Sequence, residues 1–195
     1  MVNRPCAFTV PVLAFLAGCG GDAGVGNTPP PVSYAAYAAQ DAALRSAHSS
    51  LPYSDPASLP GIGSASYSGV MVLEAGTPSG PLGLSGGFDL TADFAASTIS
   101  GQAGSFADDN NIAWSGSLPL TNGQIDRLAN PATEYTLTAD LAGTISGGGN
   151  SLTIAAALSG DFLGAGHDAV QGVISGTATG ASGSDYLFGD FIAEK

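Results

Sequence analysis

The segment 152–178 constrains the fold more than any other part of the chain. Leu152, Ile154, Leu158 and Phe162 share one parity of 152–162 with Ala156 and Gly160, and small or polar residues occupy the positions between them. A glycine-rich corner at 164–169 follows, and the alternation then resumes over 170–178. Alternation with a period of two is typical of strands with one buried face. The segment is therefore predicted to be a β-hairpin with a built-in loop.

The same design recurs along most of the chain after residue 63. Eight segments are predicted to be strands: 65–74, 82–94, 98–107, 112–120, 133–145, 151–163, 170–180 and 186–193. Short connections force neighbouring strands to be antiparallel, and an eight-membered meander closes into a barrel that leaves no exposed edge. The sequence therefore predicts an all-β fold, an eight-stranded antiparallel up-and-down β-barrel over 63–195, with a two-sheet sandwich as the alternative.

Most aromatic residues after position 63 share the apolar parity of their predicted strand. Because residues of one parity face the same side of a strand, we expect these rings to line one continuous core. An interior of about eight strands is just wide enough to be filled by side chains or to hold one small ligand. The rings in question are Tyr67, Phe88, Phe94, Trp114, Tyr135, Phe162, Tyr186 and Phe188.

Residues 1–18 are predicted to be a lipoprotein signal peptide. Their apolar run, 7–16, is shorter than the roughly 20 residues that a membrane-spanning helix needs. The run ends in Leu-Ala-Gly-Cys at 16–19, which resembles the bacterial lipobox, a motif that is cut before its cysteine. The resemblance implies that Cys19 becomes an acylated N-terminus, and Gly20 after it favours the outer membrane. The alternative is an ordinary secretory signal with a chance cysteine.

Residues 19–62 are predicted to be a lipidated tether that contains one short helix. The segment 20–31 cannot bury enough apolar surface to fold, so a flexible tether that its prolines stiffen is expected. The alanine-rich segment 33–49 is predicted to be the helix, with Ser33 as its N-cap. Once the signal peptide is removed, one cysteine is left, which excludes an internal disulfide.

The charge of the chain narrows the range of partners. Four basic and 16 acidic residues give a formal net charge of -12. Nucleic acid and anionic lipid surfaces are poor partners for such a chain, because both are bound through lysine and arginine. Basic protein surfaces are electrostatically acceptable, although acidity also serves solubility.

Three local motifs could carry chemistry, but their contexts argue against it. Ser85 lies in a Gly-x-Ser-x-Gly sequence, yet a nucleophile elbow needs a strand-turn-helix context and Ser85 falls inside a predicted strand. His167 and Asp168 lie in a loop, far in sequence from the other histidine, His48, so a solvated side chain is expected. The oxygen-rich segment 108–111 lacks the spaced ligands of a calcium loop and is predicted to be an Asx-type turn. The protein is therefore predicted to be no enzyme, with no cofactor and no metal.

The hairpin sequence GDFLGAGHDAVQGVISG resembles a motif of the C-lobe-type barrel in transferrin-binding protein B and related surface lipoproteins. The segments 88–101 and 187–195 resemble other strands of that barrel. This resemblance implies an outer-membrane lipoprotein whose barrel is a scaffold for binding host or environmental proteins or iron sources. Transferrin itself is not implied, since the chain has one barrel and lacks a second lobe. The matching hairpin positions are Gly160, Phe162, Gly164, Val170 and Gly172.

Alternating strand directions place four short turns, 75–81, 108–111, 146–150 and 181–185, at one end of the predicted barrel. The other end is expected to hold the tether, Lys195 and the loops 95–97, 121–132 and 163–169. The four turns should then point away from the membrane that holds Cys19, and loops commonly carry binding residues. The candidate partner-binding residues in these turns are Thr77, Ser79, Asp108, Asp109, Asn110, Asn150, Ser184 and Asp185.

The sequence thus predicts a non-enzymatic lipoprotein, anchored in the outer membrane through Cys19 and displayed at the cell surface or on the periplasmic face. Its barrel is expected to bind an extracellular or periplasmic protein, or to help acquire a nutrient. One alternative is a lipocalin-like carrier of a small apolar ligand, in the periplasm or at the outer membrane. Another is an integral outer-membrane barrel whose apolar face turns toward lipid.

Overall fold

A computed structural model of the chain describes residues 33–130 and 132–195. The predicted signal peptide, Cys19 and the rest of the tether up to residue 32 lie outside the described residues. A helix, α1 (Tyr34–His48), and a short 3-10 turn (Pro56–Ser58) precede eight strands. The strands are β1 (Ser64–Ala75), β2 (Leu82–Asp93), β3 (Thr98–Asp108), β4 (Ala113–Ile125), β5 (Leu137–Gly147), β6 (Asn150–Leu163), β7 (Ala169–Gly180) and β8 (Gly183–Glu194).

The strands form a closed barrel. Each strand pairs antiparallel with the next one along the chain, and β8 returns to pair with β1. This confirms the predicted eight-stranded up-and-down barrel. The helix also agrees with the prediction, because the Ser33 hydroxyl caps it by accepting a hydrogen bond from the Ala36 amide at 3.1 Å.

The largest error in strand bounds concerns β4 and β5. β4 continues to Ile125, although its prediction ended at residue 120, and β5 begins at Leu137, where 133 was predicted. The sequence around Asn122 and Gly123 is typical of a turn, but here it forms a bulge inside the β4–β5 pairing. Asn122 adopts the left-handed conformation that the bulge requires, with φ 53°.

One hydrophobic core with residues from all eight strands fills the barrel. Five of the eight rings predicted to line the core do so: Tyr67, Phe88, Phe94, Trp114 and Phe162. The prediction is wrong for Tyr135, Tyr186 and Phe188, which are 46%, 36% and 57% exposed. Phe106 and Phe191, which have the opposite parity, are fully buried in their place.

Register explains the errors in β3 and β8, whereas Tyr135 lies outside β5, in the loop that precedes it. A bulge between Gly104 and Phe106 shifts β3 by one residue and turns Phe106 inward. In β8 the inward parity belongs to Leu187 and Phe191, because Phe191 lies in line with two core glycines of the neighbouring strands. A Cβ atom on Gly160 or Gly172 would stand only 2.8 or 2.7 Å from the Phe191 ring, so the two glycines leave the space that this ring fills.

Helix α1 packs on the outside of the barrel. Leu44 is buried against Val70 and Ile192, two outward-facing residues of β1 and β8. At the border of this contact, the Arg45 guanidinium bridges Asp41 and Asp190. Helix and barrel therefore form one packed unit in the described chain.

Helix α1 runs along the barrel from the end with the short turns to the opposite end. At its first residue, Tyr34 lies against Gly83 and Phe188, close to the four short turns. At its last residue, the His48 Nε2 atom lies 3.0 Å from a carboxylate oxygen of Glu194, at the opposite end. The described chain thus begins at Ser33 beside the short turns, runs back along the barrel and enters β1 at the opposite end. That the short turns point away from the membrane stays a prediction.

The segment 49–63, called the strap below, closes the end opposite the short turns. The Ser54 amide donates to the Phe162 carbonyl at 2.8 Å, and Leu59 is buried in the core. Arg127 links the strap to the barrel. Its guanidinium donates hydrogen bonds to the Leu59 carbonyl of the strap at 2.9 Å and to the Phe94 carbonyl, directly after β2, at 2.7 Å. The strap thus connects the end of α1 to the start of β1.

Candidate functional site

Two neighbouring cavities lie on the outer wall of the barrel and share Asp190 in their linings. The first, about 340 Å³, is lined among others by Tyr34, Val72, Glu74, Gly83 and Phe188. The second, about 280 Å³, is lined among others by Arg45, Tyr53, Tyr135, Asp161 and Val173. The two cavities together are called the β8 furrow below, because strand β8 forms the floor between them.

Strand parity determines which residues of β8 form the floor of the furrow. Since Leu187 and Phe191 face inward, the residues between them, Phe188 and Asp190, must face outward. The register then sets Glu74 of β1 opposite Phe188. Phe188 is further supported by Tyr186, whose ring stacks on it at a centroid distance of 4.9 Å.

Three separate elements form the walls. Helix α1 supplies Tyr34 and Arg45, the strap supplies Tyr53, and the loop before β5 supplies Tyr135. The Tyr53 hydroxyl accepts a hydrogen bond of 3.4 Å from Gln171, which ties this wall to β7. Aromatic side chains therefore border the furrow at both of its ends.

Carboxylates dominate the electrostatics of the furrow. Glu74 accepts a hydrogen bond of 3.1 Å from the Tyr186 hydroxyl, and this bond raises the pKa of Tyr186. Burial raises the pKa of Asp190, and the Arg45 guanidinium opposes that shift. Asp161 accepts hydrogen bonds from both the amide and the hydroxyl of Thr136. Three carboxylates thus line the two cavities beside a single guanidinium.

The predicted turn residues lie at one end of the barrel, the end where the described chain begins. Asp108 forms the expected Asx turn, but its carboxylate is 4% exposed and accepts hydrogen bonds from Asn110 and Ile112 amides and from the Trp114 indole. The Thr77 hydroxyl donates to the Gly80 carbonyl inside its own turn. The remaining candidates are exposed: Ser79, Asp109, Asn110, Asn150, Ser184 and Asp185.

His167 is buried, so the prediction of a solvated histidine is wrong. Its imidazole is packed between Phe94 and Phe162, and its Nδ1 atom lies 3.1 Å from the Ser54 hydroxyl oxygen. The strap brings Ser54 to this place, which loop sequence alone does not indicate. Burial lowers the pKa of His167, and the nearby Lys195 lowers it further.

The Ser54–His167 pair is not arranged as a nucleophile and its base. The Ser54 hydroxyl donates to the Gly164 carbonyl at 2.6 Å, so the proton between Ser54 and His167 belongs to the imidazole. A catalytic serine needs the opposite arrangement, in which the imidazole accepts the hydroxyl proton. The pair therefore fastens the strap to the barrel.

Ser85 lies inside β2, as predicted, and is 1% exposed on the side that α1 covers. Its hydroxyl has no hydrogen-bond partner among the described residues, and it lies in no strand-turn-helix elbow. Within 33–130 and 132–195, no three His, Cys, Asp or Glu side chains are grouped so as to hold a metal ion. No helix in the same ranges is long and apolar enough to cross a membrane.

Sequence reasoning missed the β8 furrow because it placed Tyr135, Tyr186 and Phe188 in the core. A signal was present in β8 nevertheless. The parity of Tyr186 and Phe188 also contains Asp190, a carboxylate that would then be buried among rings. The other parity contains only Leu187, Gly189, Phe191 and Ala193, which suit a filled lumen.

Comparison with known proteins adds no assignment. No model of a known protein family matches the chain, and no curated protein matches it.

Proposed function

We propose that the protein is a lipid-anchored outer-membrane lipoprotein, displayed at the cell surface, whose barrel binds a protein partner and catalyses no reaction. In this proposal it is a barrel of the type that its hairpin resembles, the transferrin-binding protein B-like type. The observation that carries the proposal is the combination of a filled lumen with an exposed aromatic furrow.

The filled lumen favours binding on the outside of the barrel. A small-molecule site usually requires a cavity of about 300–1,000 Å³. Here the central positions are occupied by rings in mutual contact, such as Phe88 and Phe191, whose centroids lie 5.0 Å apart. This packing supports the partner-binding function over the lipocalin-like carrier.

The furrow has the composition of a protein-binding surface. Protein interfaces are enriched in aromatic residues, and a few aromatic anchors carry most of their binding energy. Tyr53, Tyr135 and Phe188 are each about half exposed although they are large and apolar. A closed barrel offers no free strand edge, so a partner must be recognised through side chains such as these.

Protease treatment of intact cells that produce the full chain tests location and anchoring. We expect the barrel to be degraded on intact cells, and the Cys19→Ser variant to be released from the membrane fraction. A barrel that is protected until the outer membrane is opened would contradict surface display. A Cys19→Ser variant that stays in the membrane fraction would contradict the lipid anchor.

Site-specific photo-cross-linking on living cells tests partner binding. A photoreactive residue is introduced at Phe188 in the furrow, at Asp109 in a short turn, or at Thr153 on the wall formed by β6. We expect adducts with another protein from the furrow position or the turn position and none from Thr153. Absence of adducts from both Phe188 and Asp109 would contradict a protein-binding function.

A further inference from the structure

We propose that the β8 furrow binds a basic, partly apolar segment of the partner protein, with a lysine or arginine side chain seated among Tyr34, Glu74 and Phe188. This inference rests on the proposed protein-binding function. It names the surface and the chemistry of the partner.

The charge of the furrow selects a cation. Glu74 stands opposite Phe188 across the β1–β8 pairing, and Asp190 lies two residues further along β8. The one guanidinium in the lining, that of Arg45, is already engaged by Asp41 and Asp190. An incoming carboxylate or phosphate would meet uncompensated negative charge, whereas an ammonium or guanidinium would relieve it.

The aromatic rings of the furrow also favour a cationic side chain. Phe188 is 57% exposed, and Tyr34 lines the same cavity. Cations are attracted to the faces of aromatic rings, and a carboxylate beside the ring adds an ion pair to that attraction. Tyr34, Glu74 and Phe188 therefore form a site suited to one basic side chain.

The second cavity accounts for the apolar part of the ligand. It continues from Asp190 toward Val173, Tyr53 and Tyr135, and these three side chains are 44%, 54% and 46% exposed. Apolar residues of a bound segment would cover them, while its basic residue occupies the first cavity. Aromatic rings flanked by acidic residues can thus bind an extended segment along β8 without a strand edge.

A defined peptide tests this chemistry. The probe is the blocked pentapeptide Leu-Arg-Leu-Arg-Leu, with matched peptides in which glutamine or glutamate replaces arginine. Binding to the mature full chain carrying Cys19→Ser is measured by nuclear magnetic resonance titration. We expect the arginine peptide to bind, the glutamine peptide to bind more weakly, and the glutamate peptide not to bind.

Variants localise the binding. We expect Phe188→Ser and Glu74→Gln each to weaken binding of the arginine peptide by about two- to fivefold, the size of one exposed cation–aromatic contact or ion pair. Asp140→Asn is the matched control, because Asp140 is an exposed carboxylate of β5, away from the furrow. We expect Val173→Ser to weaken binding of the arginine and glutamine peptides alike, because Val173 lines the second cavity, outside the cation site.

Several outcomes would overturn the inference. They are equal binding of the arginine and glutamine peptides, no binding at all, or unchanged affinity in both Phe188→Ser and Glu74→Gln. Binding of the chain to phosphatidylcholine vesicles that depends on Phe188, without peptide binding, would instead assign the furrow to a membrane surface.

The cross-linking experiment separates this inference from the proposed function. Adducts from Asp109 but not from Phe188 would leave the protein-binding function standing and overturn the furrow as its site. Adducts from neither position would contradict both. When Phe188 does form an adduct, mass spectrometry of the linked peptide should show lysine or arginine beside apolar residues, and an acidic segment would overturn the inference.

Discussion

Strands β6 and β8 are both regular members of the barrel, but they distribute bulk differently between their two faces. β6 turns Leu152, Ile154 and Leu158 inward and leaves only small or polar residues, such as Ala155 and Thr153, exposed. β8 turns Leu187 and Phe191 inward as well, yet it also carries Tyr186, Phe188 and Ile192 on its outer face.

Because the lumen is already full, bulky side chains on the outer face of β8 must either be covered by another element or stay exposed. The outward-facing Ile192 is buried because helix α1 covers it on the outside of the barrel. Phe188, four residues earlier, has no such cover and is 57% exposed. One part of the outer face of β8 is therefore used within the chain, and the other part is available to a partner.

Two phenylalanines of β8 provide the largest test of this comparison. We expect Phe191→Ala to reduce the free energy of unfolding by about 3–5 kcal/mol, because it empties a ring-sized volume in the core. Phe188→Ala is the matched control and should change it by less than about 0.5 kcal/mol, since its ring is largely exposed. Urea unfolding followed by Trp114 fluorescence measures both. Similar losses for the two variants would contradict the assigned strand parity.

The covered part of the outer face predicts an intermediate effect. We expect Ile192→Ala to cost about 2 kcal/mol, at the low end for buried aliphatic residues, because only a single helix covers it. The loss should act on α1 first, so protease cleavage within Tyr34–His48 should accelerate more than cleavage in the strands. The equivalent change on the bare outer face of β7, Val173→Ala, is the control. Equal cleavage of the helix in both variants would contradict the contact between α1 and Ile192.

The loop after β6 predicts a smaller, pH-dependent effect. The unfolded chain has an ordinary histidine pKa near 6.5, and His167 has a lower pKa in the folded protein. The unfolded state thus binds more protons below about pH 6.5. The contribution of His167 to the free energy of unfolding is therefore complete above that pH and declines as the pH falls through it.

His167→Asn isolates this contribution. Asparagine tolerates the left-handed backbone at this position, where φ is 53°, but it does not titrate. We expect a loss of about 1 kcal/mol at pH 7.5, from the broken hydrogen bond with Ser54, and a smaller gap between variant and natural chain at pH 5. Thermal unfolding across this range provides the measurement, and the charged neighbours Lys195 and Asp168 are common to both chains. A gap that widens toward pH 5 would show the opposite direction of the pKa shift.

The difference between β6 and β8 also explains which parts of the fold could be predicted from the sequence. The barrel was predictable because most strands concentrate bulk on one face, as β6 does. Phe106 and Asn122 were misjudged because a bulge shifts the register by one residue, and the left-handed residues at the bulges, Ser105 and Asn122, are not glycines. The parity of β8 depends on the space above Gly160 and Gly172, which only the assembled sheet reveals.

The candidate site was less predictable than the fold. The four short turns followed from topology, whereas the β8 furrow depends on where three distant segments come to lie. Tyr34, Tyr53 and Tyr135 belong to the helix, the strap and the loop before β5, and no local pattern indicates that they line one furrow. The burial of His167 depends in the same way on Ser54 of the strap.

The direction of α1 determines where a protein fused to the end of this chain would lie. Ser33 and the C-terminal Lys195 lie at opposite ends of the barrel, and the Lys195 amide is bonded to the Asp168 carbonyl beside the strap. An epitope or a reporter enzyme fused after Lys195 would leave the molecule on the side remote from Ser33. Such a cargo would leave the furrow open along the flank of the barrel.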